Sequence, residues 1–277
     1  MLIGMILRSE PVGVSHRIQF DVAAKDMGKR STNTRPTSDA DFKFNMKTAY
    51  GLSIPQTLEE VCDPRRVALL VYDMQVGILR QIKNGDEITR QVLKVLTAAR
   101  DARVRVLFSR HLSLPKELMG MFQFRMAMTW QRVDSLDQVD PWFLRDTPGF
   151  QIVPELSPLP TEGVFDKLTM SAFEGTWLDF ALRDCGINAF IIVGVAMEIG
   201  IEPTARHGAD LGYIPVLVTD ACGSGKEAAK RSIEGLKFAG DTLIIDTEAI
   251  CDVLRARSGV RPPVNLNRPR GKNASCT

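Results

Sequence analysis

The stretch NAFIIVGVAMEIGIEPTARHGADLGYIPVLVTDA, residues 188–221, decides the fold of this chain. It opens with a strongly apolar run at 188–196, continues with a segment at 201–212 that we interpret as a helix, and closes with a second apolar run at 214–221. Two apolar strands joined by a helix of this length form a right-handed βαβ unit in a parallel sheet covered on both faces. The stretch therefore predicts an α/β fold.

The same alternation of strand and helix continues on both sides of this unit. Further strands are predicted at VALLVYD (67–73), RVLFSRH (105–111), EGVFDKL (162–168) and the start of DTLIIDTEAICDVLR (241–255). Further helices are predicted at 85–102, where Ile88, Val92, Val95 and Leu96 share a helical face, and at 175–186, 226–240 and the end of 241–255. The order predicts a three-layer α/β/α domain with a mostly parallel sheet.

Length and composition fit a globular protein with one large domain. The chain has 277 residues, of which 44% are hydrophobic and 25% charged. We assign the domain to residues 61–255. Residues 1–60 are predicted to be an N-terminal arm, because KRSTNTRPTSDADFK at 29–43 is polar and rich in turn formers, and residues 256–277 a flexible basic tail.

Charge and cysteine content limit the possible partners and compartment. Residues 255–277 carry six Arg or Lys and no acidic residue, so the net charge of +2 comes from the tail, and no nucleic-acid partner is predicted. The five cysteines lack CxxC spacing, which favours reduced thiols and a cytoplasmic location. No apolar run approaches the ~20 residues that span a bilayer, so no membrane association is predicted.

The segment 112–150 is rich in methionine and aromatic residues but lacks a regular period. We interpret it as a cover over a site rather than a regular helix, with ordinary packing as the open alternative. The aromatic residues suggest a pocket wall for a ring-bearing substrate, although core packing explains some of them equally well. They are Phe122, Phe124, Trp130, Trp142 and Phe173.

Charged residues follow several predicted strands at their carboxyl ends, where ligands bind in such sheets. Asp73, Arg110, Lys167 and the loop 195–200 all fall there. Taken alone, Asp73 could cap a helix and Lys167 could be a surface cation. Together they predict a buried carboxylate and ammonium that hold a proton ready for transfer.

Three segments resemble the isochorismatase-like hydrolase superfamily, and the resemblance covers roughly residues 66–250. They are YDMQ with Asp73, FDKLTMSAFEGTWLDFALRDCGI with Lys167, and IIVGVAMEIGIEPTARHGADLGYIPVLVTDAC. In most members an Asp, a Lys and a nucleophilic Cys meet, and the Cys opens the helix of the third segment. Here that position is Gly200. The resemblance also implies a non-proline cis peptide near Val195–Ala196 that turns backbone N–H groups toward the substrate.

Without the thiol, the resemblance implies the chemistry of true isochorismatases, which also lack the Cys and hydrolyse a vinyl ether. Asp73 would donate a proton to the enol-pyruvyl methylene carbon, and Lys167 would hold charge and orient the substrate. Gly200, the vacant nucleophile position, would leave room for the substrate or the attacking water. Two alternatives remain open: a non-thiol amidase or C–N hydrolase, and a non-catalytic relative that binds a metabolite or a protein.

Several other residues are candidates for binding the substrate. Arg110 and Arg125 would match its carboxylates or lie on the surface. Glu198 would repel a dianion or activate water. The complete set of predicted substrate-binding residues is Gln75, Arg110, Arg125, Phe173, Ala196, Met197 and Glu198.

No metal and no cofactor are predicted. The three histidines, at 16, 111 and 207, lack ligand spacing, and the DxH pair of metal-containing relatives is missing. The expected partner is a small-molecule substrate. The resemblance also implies a homodimer or homotetramer, in which the arm at 1–60 could embrace a neighbouring subunit.

Overall fold

The computed structural model describes residues 46–223 and 225–258. Within them a six-stranded, fully parallel sheet runs in the order β5-β4-β3-β6-β7-β8, and a separate antiparallel hairpin joins β1 to β2. The strands are β1 (Lys47–Ala49), β2 (Leu52–Ile54), β3 (Val67–Tyr72), β4 (Arg105–His111), β5 (Gly163–Lys167), β6 (Ala189–Val195), β7 (Ile214–Gly223) and β8 (Leu243–Ile245). The prediction of an α/β fold with a parallel sheet is confirmed.

Helices cover both faces of this sheet. The helices of the described residues are α1 (Leu58–Val61), α2 (Val76–Leu79), α3 (Gly85–Asp101), α4 (Met121–Gln131), α5 (Leu178–Asp184), α6 (Glu202–Asp210), α7 (Lys226–Ala239) and α8 (Thr247–Arg257), with a π-helical turn at Met197–Ile201 before α6. One apolar cluster joins the sheet to α3 and α8, and a second joins it to α5, α6 and α7. Because side chains alternate along a strand, Val71 enters the first cluster and Tyr72 the second.

The chain enters the sheet at its centre and reverses direction there. It runs outward from β3 through β4 to β5, then returns to place β6 against the free side of β3. This reversal opens a crevice beyond the carboxyl ends of β3 and β6, where ligands bind in sheets of this kind. The two strands approach closely at Gly194, whose φ is +124°, and an added Cβ there would lie 2.9 Å from the Tyr72 carbonyl carbon. Only glycine fits this position.

The irregular cover predicted for residues 112–150 is wrong in one part, because Met121–Gln131 forms the regular helix α4. Every residue of α4 is at least partly exposed, and apolar side chains such as Met121 and Phe122 point into solvent. A helix without a buried stripe lacks the apolar period by which core helices are predicted. The surrounding chain does lack long regular elements and contains only short 3₁₀ turns.

The predicted arm and tail are only partly covered by the structure. The β1–β2 hairpin and all of α1 except Val61 lie inside 46–60, and α1 begins with a capping box in which the side chain of Thr57 and that of Glu60 each accept a backbone N–H. Residues 1–45 and 259–277 lie outside the described residues. The boundaries at 60 and 256 therefore stay predictions. In the part of the chain that is described, no helix has the length and apolar character needed to cross a membrane.

Candidate active site

A buried ion pair lies at the carboxyl ends of β3 and β5. The Lys167 Nζ donates to Asp73 Oδ2 at 2.7 Å, and the two side chains are 1% and 6% exposed. The Ser109 hydroxyl donates to the other carboxylate oxygen, Oδ1, at 2.6 Å, and Nζ also donates to the Thr169 carbonyl at 3.1 Å. Asp73 and Lys167 are therefore brought together as a hydrogen-bonded carboxylate and ammonium.

The backbone at Asp73 explains how an acid at the end of a strand faces across the sheet edge. Its φ is +49°, in the left-handed region that Asp and Asn tolerate better than most residues. The Asp73 carbonyl accepts the Gln75 N–H at 2.7 Å, and the chain then enters α2. This turn ends β3 and directs the carboxylate over the strand ends toward Lys167.

The ion pair forms the floor of a cavity of about 310 Å³. Small-molecule sites begin at roughly this volume. Aromatic side chains of Trp130, Trp142 and Phe143 form one wall, and aliphatic side chains, among them Ile78 and Ile199, form another. An apolar cavity with a few polar groups at one end binds a small ring compound and orients it. The predicted aromatic wall is present for Trp130 and Trp142, whereas Phe122 faces a neighbouring cavity.

His111 is a pocket residue to which the sequence analysis assigned no role. It is paired with Lys167 in the β4–β5 register, and its ring packs edge-on against Phe143 with centroids 5.8 Å apart. Burial, together with the charge of Lys167, lowers the pKa of His111 from 6.5 to about 4. The imidazole is therefore neutral near pH 7 and offers one donor and one acceptor. The available signal was its position, one residue beyond Arg110 at the same strand end.

Gly200 lies against the aromatic ring of Tyr72. A Cβ at position 200 would be 2.5 Å from Tyr72 Cε1 and closer still to the phenol oxygen. The Tyr72 ring thus fills the volume that a side chain at position 200 would take, while Gly200 itself lines the cavity. Burial raises the pKa of Tyr72 well above its usual value, and the charge of Asp73 adds to this, so the phenol stays protonated.

The peptide bond between Val195 and Ala196 is cis, as the resemblance implied. The π-helical turn that follows closes on the Ala196 carbonyl, which accepts the N–H groups of Gly200 at 3.0 Å and Ile201 at 3.2 Å. Ala196 and Gly200 both line the cavity. The Gly200 N–H is thus used within the turn.

The two arginines predicted to bind carboxylates do not line the cavity. Arg110 donates to Asp166 Oδ1 at 2.7 Å, and its guanidinium stacks on Phe150 at 4.3 Å from the ring centroid. Since neighbouring residues on a strand point to opposite faces, the strand that turns His111 toward Lys167 turns Arg110 toward Asp166. Arg125 is an exposed residue of α4.

The other predicted substrate-binding residues support the site from behind or lie elsewhere. Gln75 is fully buried, and its carboxamide bonds the backbone of His111 and the Phe150 carbonyl. Phe173 stacks on Tyr213 in the second apolar cluster. The two remaining candidates are Met197, which is buried in the same cluster, and Glu198, whose Oε1 accepts the Gly225 N–H at 3.2 Å.

The cysteines near the sheet are not arranged as nucleophiles. Cys222 is buried with its Sγ 3.7 Å from the Ile192 carbonyl, and burial raises the pKa of its thiol. Burial raises the pKa of Cys62 to about 12. A thiol that stays protonated is a poor nucleophile. Residues 46–223 and 225–258 also contain no group of three or more His, Cys, Asp or Glu side chains that could hold a metal ion.

Known proteins share both the sequence pattern and the fold. A sequence model of the isochorismatase domain matches residues 67–248. The chain is 39% identical over 71 residues to the isochorismatase family protein YwoC of Bacillus subtilis (strain 168), a match that spans 26% of this chain and 38% of that protein.

Solved structures agree with this assignment at the level of the fold. A cysteine hydrolase from Pseudomonas syringae pv. phaseolicola 1448A superposes with a TM-score of 0.61 and 24% identity, over 70% of this chain and 94% of that one. An isochorismatase family protein from Desulfovibrio vulgaris subsp. vulgaris str. Hildenborough gives 0.59 and 25%, over 69% and 98%. Since the matched domain spans most of the chain and includes Asp73, Lys167 and Gly200, the chain belongs to the isochorismatase family.

Proposed function

We propose that this chain is a hydrolase that uses the Asp73–Lys167 pair for proton transfer and forms no covalent enzyme intermediate. The observation that carries the proposal is the 2.7 Å contact between Lys167 Nζ and Asp73 Oδ2 on the floor of a cavity. The Tyr72 ring, which fills the volume of a side chain at 200, supports the same conclusion. General acid–base catalysis by a positioned pair is enough for hydrolysis of an activated bond.

Vinyl-ether hydrolysis is the reaction that this pair supports best. A proton passes from Nζ through Oδ2 to the methylene carbon of the substrate, which becomes an oxocarbenium ion. Water adds to that cation and gives up a proton, which returns to the Asp73–Lys167 pair, and the resulting hemiketal collapses to an alcohol and a ketone. The Asp73 carboxylate, once it has given up the proton, lies beside the developing positive charge and stabilises it.

The charge of the pocket limits the substrate. Among the described residues that line the cavity, Lys167 is the one cation at rest, and it is paired with Asp73. Arg110 is held by Asp166 instead. A dianion such as isochorismate would therefore enter without a free cationic partner. We expect a ring compound with one carboxylate, or none, bound between Trp130 and Trp142.

A non-thiol amidase is the second candidate, favoured by neutral His111 beside Lys167. A neutral imidazole can accept a proton from water or donate one to a leaving amine. An uncharged aromatic carboxamide would fit the same cavity without needing a cation. The two reactions release different products, which separates them experimentally.

The test is a side-by-side assay of pyruvate release from enolpyruvyl ethers of uncharged ring alcohols, with dianionic isochorismate as the poorer comparison substrate, and of ammonia release from aromatic carboxamides. We expect turnover by the wild type, a loss of ~10²–10⁴-fold in Asp73→Asn, and no effect of iodoacetamide. Asp252→Asn, the same change at an exposed position on α8, is the matched control.

Each outcome has a distinct meaning. Turnover that Asp73→Asn leaves intact would refute the assignment of the pair. Inactivation by iodoacetamide, with protection by substrate, would show that a cysteine acts after all. Ligand binding without turnover on either panel would favour the non-catalytic relative.

A further inference from the structure

Tyr72 and Gly200 are far apart in the sequence but fit each other by volume. Tyr72 is 2% exposed, and its hydroxyl donates to the Met170 carbonyl. The Lys167 Nζ lies 4.4 Å from the centre of its ring, within the range of a cation–π contact. The ring is thus held at its tip and on its face, and Gly200 is the residue that makes space for its edge.

The fit excludes any side chain at position 200 while the ring stays in place. An added Cβ would overlap the hydroxyl oxygen and two ring carbons of Tyr72. Packing in the second apolar cluster and the hydrogen bond to Met170 hold the ring in this position, at the edge of the cavity. A thiol at 200 is therefore excluded by volume as well as by the identity of the residue.

We propose that Tyr72 occupies the space that a nucleophilic side chain at position 200 would need. Its ring prevents a covalent centre there, and its π face positions the Lys167 ammonium against Asp73. The positioning role rests on the proposed function, whereas the exclusion of a nucleophile does not. Tyr72 is a positioning residue in this scheme, because its hydroxyl is already committed to Met170.

Thiol labelling tests the exclusion without any substrate. Gly200→Cys, Tyr72→Phe/Gly200→Cys and Tyr72→Val/Gly200→Cys are treated with iodoacetamide, and the label is located by peptide mass spectrometry. All three carry Cys185→Ser, since Cys185 is exposed and precedes residue 200 with no Lys or Arg between them. We expect the Val double variant to label at position 200 at least about tenfold faster than the other two, because only there does the thiol have room beside Lys167.

The Phe double variant is the matched control, because it keeps the ring and loses only the hydroxyl. Equal labelling of all three would overturn the proposal. A thermal-unfolding cycle covers the case in which a cysteine variant folds poorly. Gly200→Ala is expected to lower the Tm by several degrees in the wild type and by much less in Tyr72→Val. The same loss in both backgrounds would also overturn the proposal.

The positioning role is tested by the rates of Tyr72→Phe and Tyr72→Val. The ring of Phe still seats the ammonium, so we expect kcat within about threefold of the wild type, against a loss of more than about tenfold for Val. If Tyr72 acted through packing alone, kcat would not depend on whether residue 72 has an aromatic ring. Equal kcat values for the two variants would therefore refute the positioning role. An inactive wild type would refute the proposed function and the positioning role together, while the labelling result would stand.

Discussion

Replacing Lys167 by methionine should strongly destabilise the protein. The side chains of Lys167 and its partner Asp73 are 1% and 6% exposed, so the substitution would leave Asp73 as a buried carboxylate without its cation. Removing one partner of a buried pair costs about 3–5 kcal/mol. The Ser109 hydroxyl would still bond Oδ1, which sets the expectation toward the lower end, about 3 kcal/mol.

Removing both charges should cost less free energy of unfolding than the two single substitutions together. Asp73→Asn/Lys167→Met leaves no buried charge, so its cost should be smaller than the sum of the single variants, roughly 1–2 kcal/mol in total. Urea unfolding at 25 °C and pH 7.5, followed by circular dichroism, gives the four free energies of unfolding in this cycle.

Two outcomes would refute the argument. A cost below about 1 kcal/mol for Lys167→Met would mean that the pair is solvated. Additive single costs would mean that the two groups do not interact. Lys230→Met on α7, a lysine whose contact with Glu234 is a long 4.0 Å on the exposed surface, controls for the substitution itself.

Three further predictions concern the surroundings of the pair. The fold holds His111 neutral with a pKa of about 4, while the unfolded chain binds a proton near 6.5. Its contribution to stability is therefore complete above pH 6.5 and is lost as the pH falls toward 4, by on the order of 3 kcal/mol; urea unfolding should show a flatter pH dependence in His111→Gln. Gln75→Leu should cost about 2 kcal/mol in the same assay, because it removes the bonds to the His111 backbone and the Phe150 carbonyl; a cost under 0.5 kcal/mol would contradict this role. Trp130→Ala should raise KM for an aromatic substrate about tenfold with kcat nearly unchanged, and a change in kcat alone would contradict a role in binding.

The sequence predicts the fold well, because strands and helices are encoded locally. The alternation of apolar runs with helical segments is enough for a parallel sheet, and the rule for strand ends is enough to bring Asp73 and Lys167 to one edge. The face to which each residue points is harder to predict, because a shift of one position reverses it. The sequence favours Arg110 as the binding residue at the end of β4, whereas its neighbour His111 is the residue that faces the cavity.

Contacts between distant segments are beyond this kind of prediction. Tyr72 and Gly200 meet because β3 and β6 become neighbours only after the chain reverses direction. Neither segment, taken alone, indicates that the Tyr72 ring occupies the space that a side chain at position 200 would take. The helix α4 is not predicted for another reason. It covers a cavity but has no buried apolar face, which is the signal of a core helix.

The tight fit of Tyr72 against Gly200 also bears on how such a site could change over evolutionary time. Replacement of Gly200 by cysteine alone would place the side chain against the ring, and loss of the ring alone would leave a void in the core. Both single steps pass through a less stable protein, so the two positions are epistatic. With both residues in place, natural selection for stability alone opposes each single change, so the pair also opposes the acquisition of a thiol at position 200.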